Sequence, residues 1–147
     1  MRSPNRWVID ANVAAKWYLR DEELLQQADY ILQAVVGGDI AAPHIIRYEV
    51  ASSLSTAVRS QRISRPYAAA SLAHFLRSGV GTQTDPQPVI QYALAITIDL
   101  PIFLLDAVYI ALAADLGWDF VTDDRRLRDA VSHRFPFVRW LGDIPVP

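Results

Sequence analysis

The stretch "WDFVTDDRRL" (Trp118–Leu127) decides how this chain is read. It is a short apolar strand that ends abruptly on two adjacent carboxylates, Asp123 and Asp124, and runs directly into a short helix, "DRRLRDAV". Two like charges side by side repel, so water, the following arginines, a helix N-terminus or a cation must offset them. In open α/β sheets, ligand sites form at the carboxyl ends of strands. A second strand, "RWVID" (Arg6–Asp10), also ends on an acid.

Working outward from these strands, "ANVAAKWYL" reads as a short helix. "EELLQQADYILQAVVGG" is a longer one, stopped by Gly37-Gly38. "DIAAP" is a short strand closed by Pro43, which suits the first turn of the helix "HIIRYEVASSLSTAVRSQR". Ser64 is placed to cap "SRPYAAASLAHFLRSG", "VGTQT" reads as a strand, and "DPQPVIQYALAITIDL" is helical after its prolines. "LLDAVYIALAADLG" is apolar almost all round, which predicts a buried helix stopped at Gly117. "FVRWL" is the last strand. Strands alternating with helices predict an α/β layered fold with a mainly parallel sheet. No repeat or linker divides the chain, so a single domain is expected over residues 6–142, with 1–5 and 143–147 as terminal extensions.

Composition narrows the function classes. The 147 residues are 52% hydrophobic and 20% charged, which excludes a disordered chain and predicts a well-filled core. The net charge of −2 argues against a basic nucleic-acid coat. Of the 14 basic residues all but Lys16 are Arg, the side chain that pairs bidentately with phosphate and carboxylate. The absence of Cys excludes thiolate nucleophiles, cysteine zinc sites and disulfides. "MRSPNRWVID" lacks the apolar region of a signal peptide, and the run "AVYIALAA" (Ala107–Ala114) is too short to span a membrane. A soluble, cytoplasmic protein is expected.

Each acid has a plain structural reading beside a chemical one. Asp10 is either a helix cap or a strand-end carboxylate aimed into a cleft, with Asn12 orienting it or a bound water. Glu49 shares a helix face with Ile45 and Ile46. It either pairs with Arg47 or Arg59 at the edge of that helix or needs a buried partner. Asp106 is either the N-cap of its helix or a carboxylate in greasy surroundings, between Leu104-Leu105 and Ala107-Val108. Of Asp123 and Asp124, one is expected to cap the next helix, with Arg125, Arg126 and Arg128 screening the pair. Taken together, these acids recur at element ends that an α/β fold brings to one edge of its sheet. Converging carboxylates repel unless protonated or bridged by a cation. Oxygen donors without Cys or a His cluster suit Mg2+ or Mn2+, since His44, His74 and His133 are scattered. Such a site activates water and stabilises charge on a phosphodiester.

Four blocks, "VIDANVAAKWYL", "APHIIRYEVASSL", "LLDAVYIALAADLG" and "FVTDDRRL", resemble in order and spacing the signature blocks of the PIN-domain ribonucleases, specifically the VapC-type toxin branch. The resemblance implies a three-layer α/β/α sandwich and Mg2+- or Mn2+-dependent endonucleolytic cleavage of RNA. It also implies a small cognate antitoxin (VapB-like) and a homodimer. Asp10 matches the acid of the first block and Asn12 its polar companion. Glu49 matches the acid of the second block, and Asp106 that of the third. The last block places Asp124 at the acidic position, Asp123 at a variable one and Thr122 in support. Leu105 departs from the Tyr that many relatives carry before the third acid, a difference of packing. The reading that follows has Asp10 and Asp106 holding the principal cation, with Glu49 and Asp124 completing the pocket. Those two either bind a second ion or position the attacking water. Arg125, Arg126, Arg59, Arg62 and Arg65 are candidate phosphate contacts, each of which also reads as an ordinary solvated arginine. Trp17, Tyr18 and Leu19 serve either a partner surface or the core. Two rivals remain: a non-catalytic PIN-like binding module, and a phosphoacceptor receiver-like domain, which needs a late lysine that this chain lacks.

Overall fold

The computed structural model describes residues 5–147; residues 1–4, most of the expected amino-terminal extension, lie outside the described residues. The chain order is β1 (Trp7–Ile9), α1 (Ala11–Ala15), α2 (Leu25–Leu32), β2 (Ile40–Ala41), α3 (Ile46–Arg59), α4 (Arg65–Arg77), α5 (Gln87–Asp99), α6 (Leu104–Leu116), β3 (Asp119–Thr122), α7 (Arg125–Val131) and β4 (Val138–Trp140). Short 3-10 turns follow α2 (Gln33–Val35) and β4 (Leu141–Asp143). All strand pairs are parallel, in the order β2-β1-β3-β4, and helices flank the sheet in the expected α/β/α sandwich. After β1 the chain adds β2 on one side, then returns through four helices to add β3 on the other. The sheet therefore changes direction between β1 and β3, the switch point at which open parallel sheets form their crevice. Ile9 pairs with Val121, so the acid-bearing ends of β1 and β3 finish side by side.

The core explains the strand sequences. Trp7, Val8 and Ile9 are all buried, as are Phe120 to Thr122, because both faces of a parallel sheet are covered. Helix α6 lies against β1 and β3, and Tyr109 stacks on Phe120 with ring centroids 5.5 Å apart. Trp17, Tyr18 and Leu19 are buried, the first two around Phe75, so core packing decides the choice left open for them.

Several local expectations change. "VGTQT" is a turn, because Gly79 and Gly81 adopt left-handed backbone and Gly81 lies against Ile46 and Pro43, where a side chain would clash. Helix α3 starts at Ile46, later than Pro43, because residues 43–45 form the turn that precedes it. Phe103, without a side-chain cap bond, occupies the N-cap position of α6, so Asp106 sits inside the first turn and is not its cap. That helix is buried only from Ala107 to Ala113: Leu104 and Leu105 are exposed. Ser64 does cap α4, accepting from the Tyr67 N–H at 3.2 Å, and α6 ends at a left-handed Gly117.

Candidate active site

The site is built on the ends of β1 and β3. Asp10 is buried, and both of its oxygens are engaged: Oδ1 accepts the Val13 N–H at 3.0 Å and Oδ2 the Thr122 hydroxyl at 2.5 Å. The cap expected for Asp10 is therefore present, and its second oxygen is held by Thr122. Thr122 also accepts the Asp124 N–H at 2.9 Å, so one buried hydroxyl joins the ends of both strands. Asn12 does not orient Asp10; it is exposed and lines a cleft of about 230 Å3 with Ser52, Thr56, Glu22 and Arg62.

Glu49 and Asp106 come from the starts of α3 and α6. The Tyr109 hydroxyl donates to Glu49 Oε1 at 2.6 Å, giving the half-buried carboxylate a partner other than Arg47 or Arg59. Burial, and then Glu49, pushes the Tyr109 phenol well above its usual range, so it stays a donor. Sequence reasoning did not single out Tyr109. Its signal was a phenol in an otherwise aliphatic buried helix, where the O–H requires a partner. Asp106 is half-buried at the first turn of α6, where the helix dipole favours negative charge.

The acids feel one another. Burial raises the Asp10 carboxyl from 3.8 to about 7, against the lowering effect of Thr122 and Val13, with Asp123 and Glu49 adding to the rise. Burial also raises Asp106, helped by Asp124 and Glu49. Glu49 thus acts on both, Asp123 on Asp10 and Asp124 on Asp106, so the five acids form one repelling set near the switch point.

The adjacent acids divide their work. Asp124 is the cap of α7, its Oδ1 accepting the Leu127 N–H at 3.0 Å, and the residue is exposed. Asp123 turns neither to solvent nor to an arginine: its Oδ2 lies 3.0 Å from the Nζ of Lys16, which is buried. Among the candidate phosphate contacts, Arg62 is committed to Asp21 and Glu22, and Arg125 lies 4.8 Å over the Trp140 ring. Arg126, Arg59 and Arg65 are exposed.

The PIN domain family model matches residues 7–131, which contain all four acids. The chain belongs to the PIN domain family. A PIN domain is a nuclease fold, generally one that cleaves RNA. Comparison with the curated proteins returns no match.

The acids of this PIN domain offer oxygen donors to a divalent cation. Among the described residues, no three acidic or histidine side chains stand in a ready-made cage. The donors are all oxygens, and burial and mutual repulsion hold Asp10 and Asp106 above the usual carboxylate range. That excess of uncompensated negative charge fits a hard cation that takes one or two carboxylates and keeps several waters, as Mg2+ does. No helix among the described residues is long and apolar enough to cross a membrane.

Proposed function

We propose that this PIN domain is a Mg2+- or Mn2+-dependent endoribonuclease and the toxin of a VapBC-type pair, acting in the cytoplasm. The observation that carries the nuclease reading is that Asp10 and Asp106 are both raised by burial and by neighbouring acids, Glu49 acting on both, beside the paired ends of β1 and β3. Asp10 and Asp106 would hold the cation, with Asp124 beside them. The bound ion would supply Lewis acidity toward a scissile phosphate and its attacking water. Glu49, which accepts from the Tyr109 hydroxyl, would orient that water and accept its proton. Thr122 donates to Asp10, and Asp124 would offer the cation the carboxylate oxygen that does not cap α7. Arg126, with Arg59 and Arg65 farther out, would offset the repulsion between RNA and the acids.

The toxin assignment rests on the resemblance of the four sequence blocks to VapC-type proteins, and with it come the small VapB-like antitoxin and the homodimer. An unpartnered apolar stripe supports a second copy. Ile90, Leu94 and Ile98 repeat every fourth residue along α5 and are exposed, and Phe103, Leu104 and Leu105 continue the patch to the start of α6.

The test is cleavage of an RNA pool by purified protein with Mg2+, with Mn2+ and after chelation. Wild type should cut only with metal, and Asp10→Ala and Asp106→Ala should each lose at least about a hundredfold in rate, the scale of losing metal or general acid–base assistance. No metal-dependent cleavage by wild type would favour a non-catalytic binding module. Cleavage untouched by both substitutions would defeat the site assignment.

A further inference from the structure

Lys16 follows α1 and is only 3% exposed. A buried ammonium is costly unless paired; this one donates to Glu22 and to the Glu23 carbonyl and forms an ion pair with Asp123. The Glu23 carbonyl lies at 2.9 Å, Asp123 Oδ2 at 3.0 Å and Glu22 Oε1 at 3.3 Å. The other oxygen of Glu22 accepts from Arg62 Nη2 at 2.9 Å, and Arg62 also grips Asp21 at 2.7 Å. A line of alternating charge therefore runs from the α3–α4 turn, through the α1–α2 connection, to the end of β3. It stops one residue short of Asp124. Two carboxylates and a carbonyl within 3.3 Å of one nitrogen suit a compact ammonium better than a planar guanidinium. That accounts for one lysine in a chain whose other basic residues are all Arg.

Asp123 is one of the charges felt at Asp10, so its placement matters to the pocket. We propose that Lys16 is a positioning residue. By drawing Asp123 onto its ammonium it holds a fifth carboxylate at the edge of the acidic pocket and offsets part of its charge. A cation recruited there then meets Asp10, Glu49, Asp106 and Asp124 with Asp123 already paired. The inference rests on the metal-dependent nuclease reading.

It is tested on the full-length protein by calorimetric Mn2+ titration, thermal melting and cleavage of an RNA pool. Lys16→Met leaves the Asp123 charge unbalanced near the pocket. Mn2+ binding should tighten about tenfold, the scale of one added charge at partly screened distance, while cleavage at saturating Mn2+ falls. Adding Asp123→Asn to Lys16→Met should return Mn2+ affinity to the wild-type level and recover cleavage. Lys16→Arg keeps the charge but not the three-way fit, and should hold Mn2+ affinity nearer wild type than Lys16→Met does. A purely structural strut would instead lower the melting temperature and leave Mn2+ affinity unchanged in every variant, which would overturn the inference. If Lys16→Met does not fold, Asp123→Asn alone decides, because Glu22 and the Glu23 carbonyl still hold the lysine. It should weaken Mn2+ binding about tenfold, and unchanged affinity would overturn the proposal. A wild type that neither binds Mn2+ nor cleaves RNA would overturn the nuclease reading and this inference with it. Wild-type binding that no variant alters would overturn the inference alone.

Discussion

Asp10 combines a structural and an electrostatic role in one carboxylate. It caps α1 and receives the Thr122 hydroxyl, yet burial still lifts its carboxyl from 3.8 to about 7. The folded, metal-free protein therefore holds a proton that the unfolded chain releases above about pH 4. This group's contribution to stability is fully present below about pH 4 and is lost as pH rises toward about 7, at no more than about 1.4 kcal/mol per pH unit. Without metal, the melting temperature of wild type should fall between about pH 4 and pH 7 more steeply than that of Asp10→Asn, which keeps a capping oxygen. Mg2+ or Mn2+ should flatten the wild-type slope, because a cation replaces the proton. A wild-type slope no steeper than that of Asp10→Asn would remove the electrostatic argument for the site. The neighbouring acids separate at the same scale. Asp124→Asn should reduce cleavage much more than Asp123→Asn, measured at saturating metal, because the Asp124 charge is felt at Asp106 and Asp123 is paired with Lys16. That one of the pair caps α7 was legible from their place before a helix. The Lys16 partner was not, since the two residues are far apart in the chain and meet only after β1 and β3 pair.

At the scale of elements, the Thr122 hydroxyl fastens β1 to the β3–α7 turn, donating to Asp10 and accepting from Asp124. Thr122→Val keeps the shape and removes both bonds, leaving a polar N–H without its acceptor. The loss should be about 1–3 kcal/mol in urea denaturation, with weaker Mn2+ binding as well. A change below about 0.5 kcal/mol would mean that water replaces the hydroxyl at both partners. Most elements were readable from apolar runs and their stops, and the misreadings have physical causes. "VGTQT" has the composition of a strand, but the left-handed Gly79 and Gly81 turn the chain there. Asp106 has the composition of a cap, but α6 begins two residues earlier at Leu104 and places it inside the dipole-favoured first turn.

At the scale of the whole molecule, α5 and the start of α6 carry a run of exposed large apolar side chains, Ile90, Leu94, Ile98, Phe103, Leu104 and Leu105. It ends at Leu105, next to Asp106, so a second copy seated there would border the acidic pocket. Ile98 is 73% exposed, and Ile98→Glu should convert a dimer into a monomer in light scattering while leaving the melting of the monomer nearly unchanged. A wild type that is monomeric at micromolar concentration would remove the dimer from the proposal. The sequence by itself determined the α/β class, the family blocks and the four acids, because each is written in local pattern: short apolar strands, helical spacing, and acids at element ends. Only the tertiary structure decided that the sheet reverses between β1 and β3, that Tyr109 holds Glu49, and that Asp123 belongs to Lys16. Each of these depends on which distant segments pair and which side chains are left buried together, and burial is a property of the assembled layers.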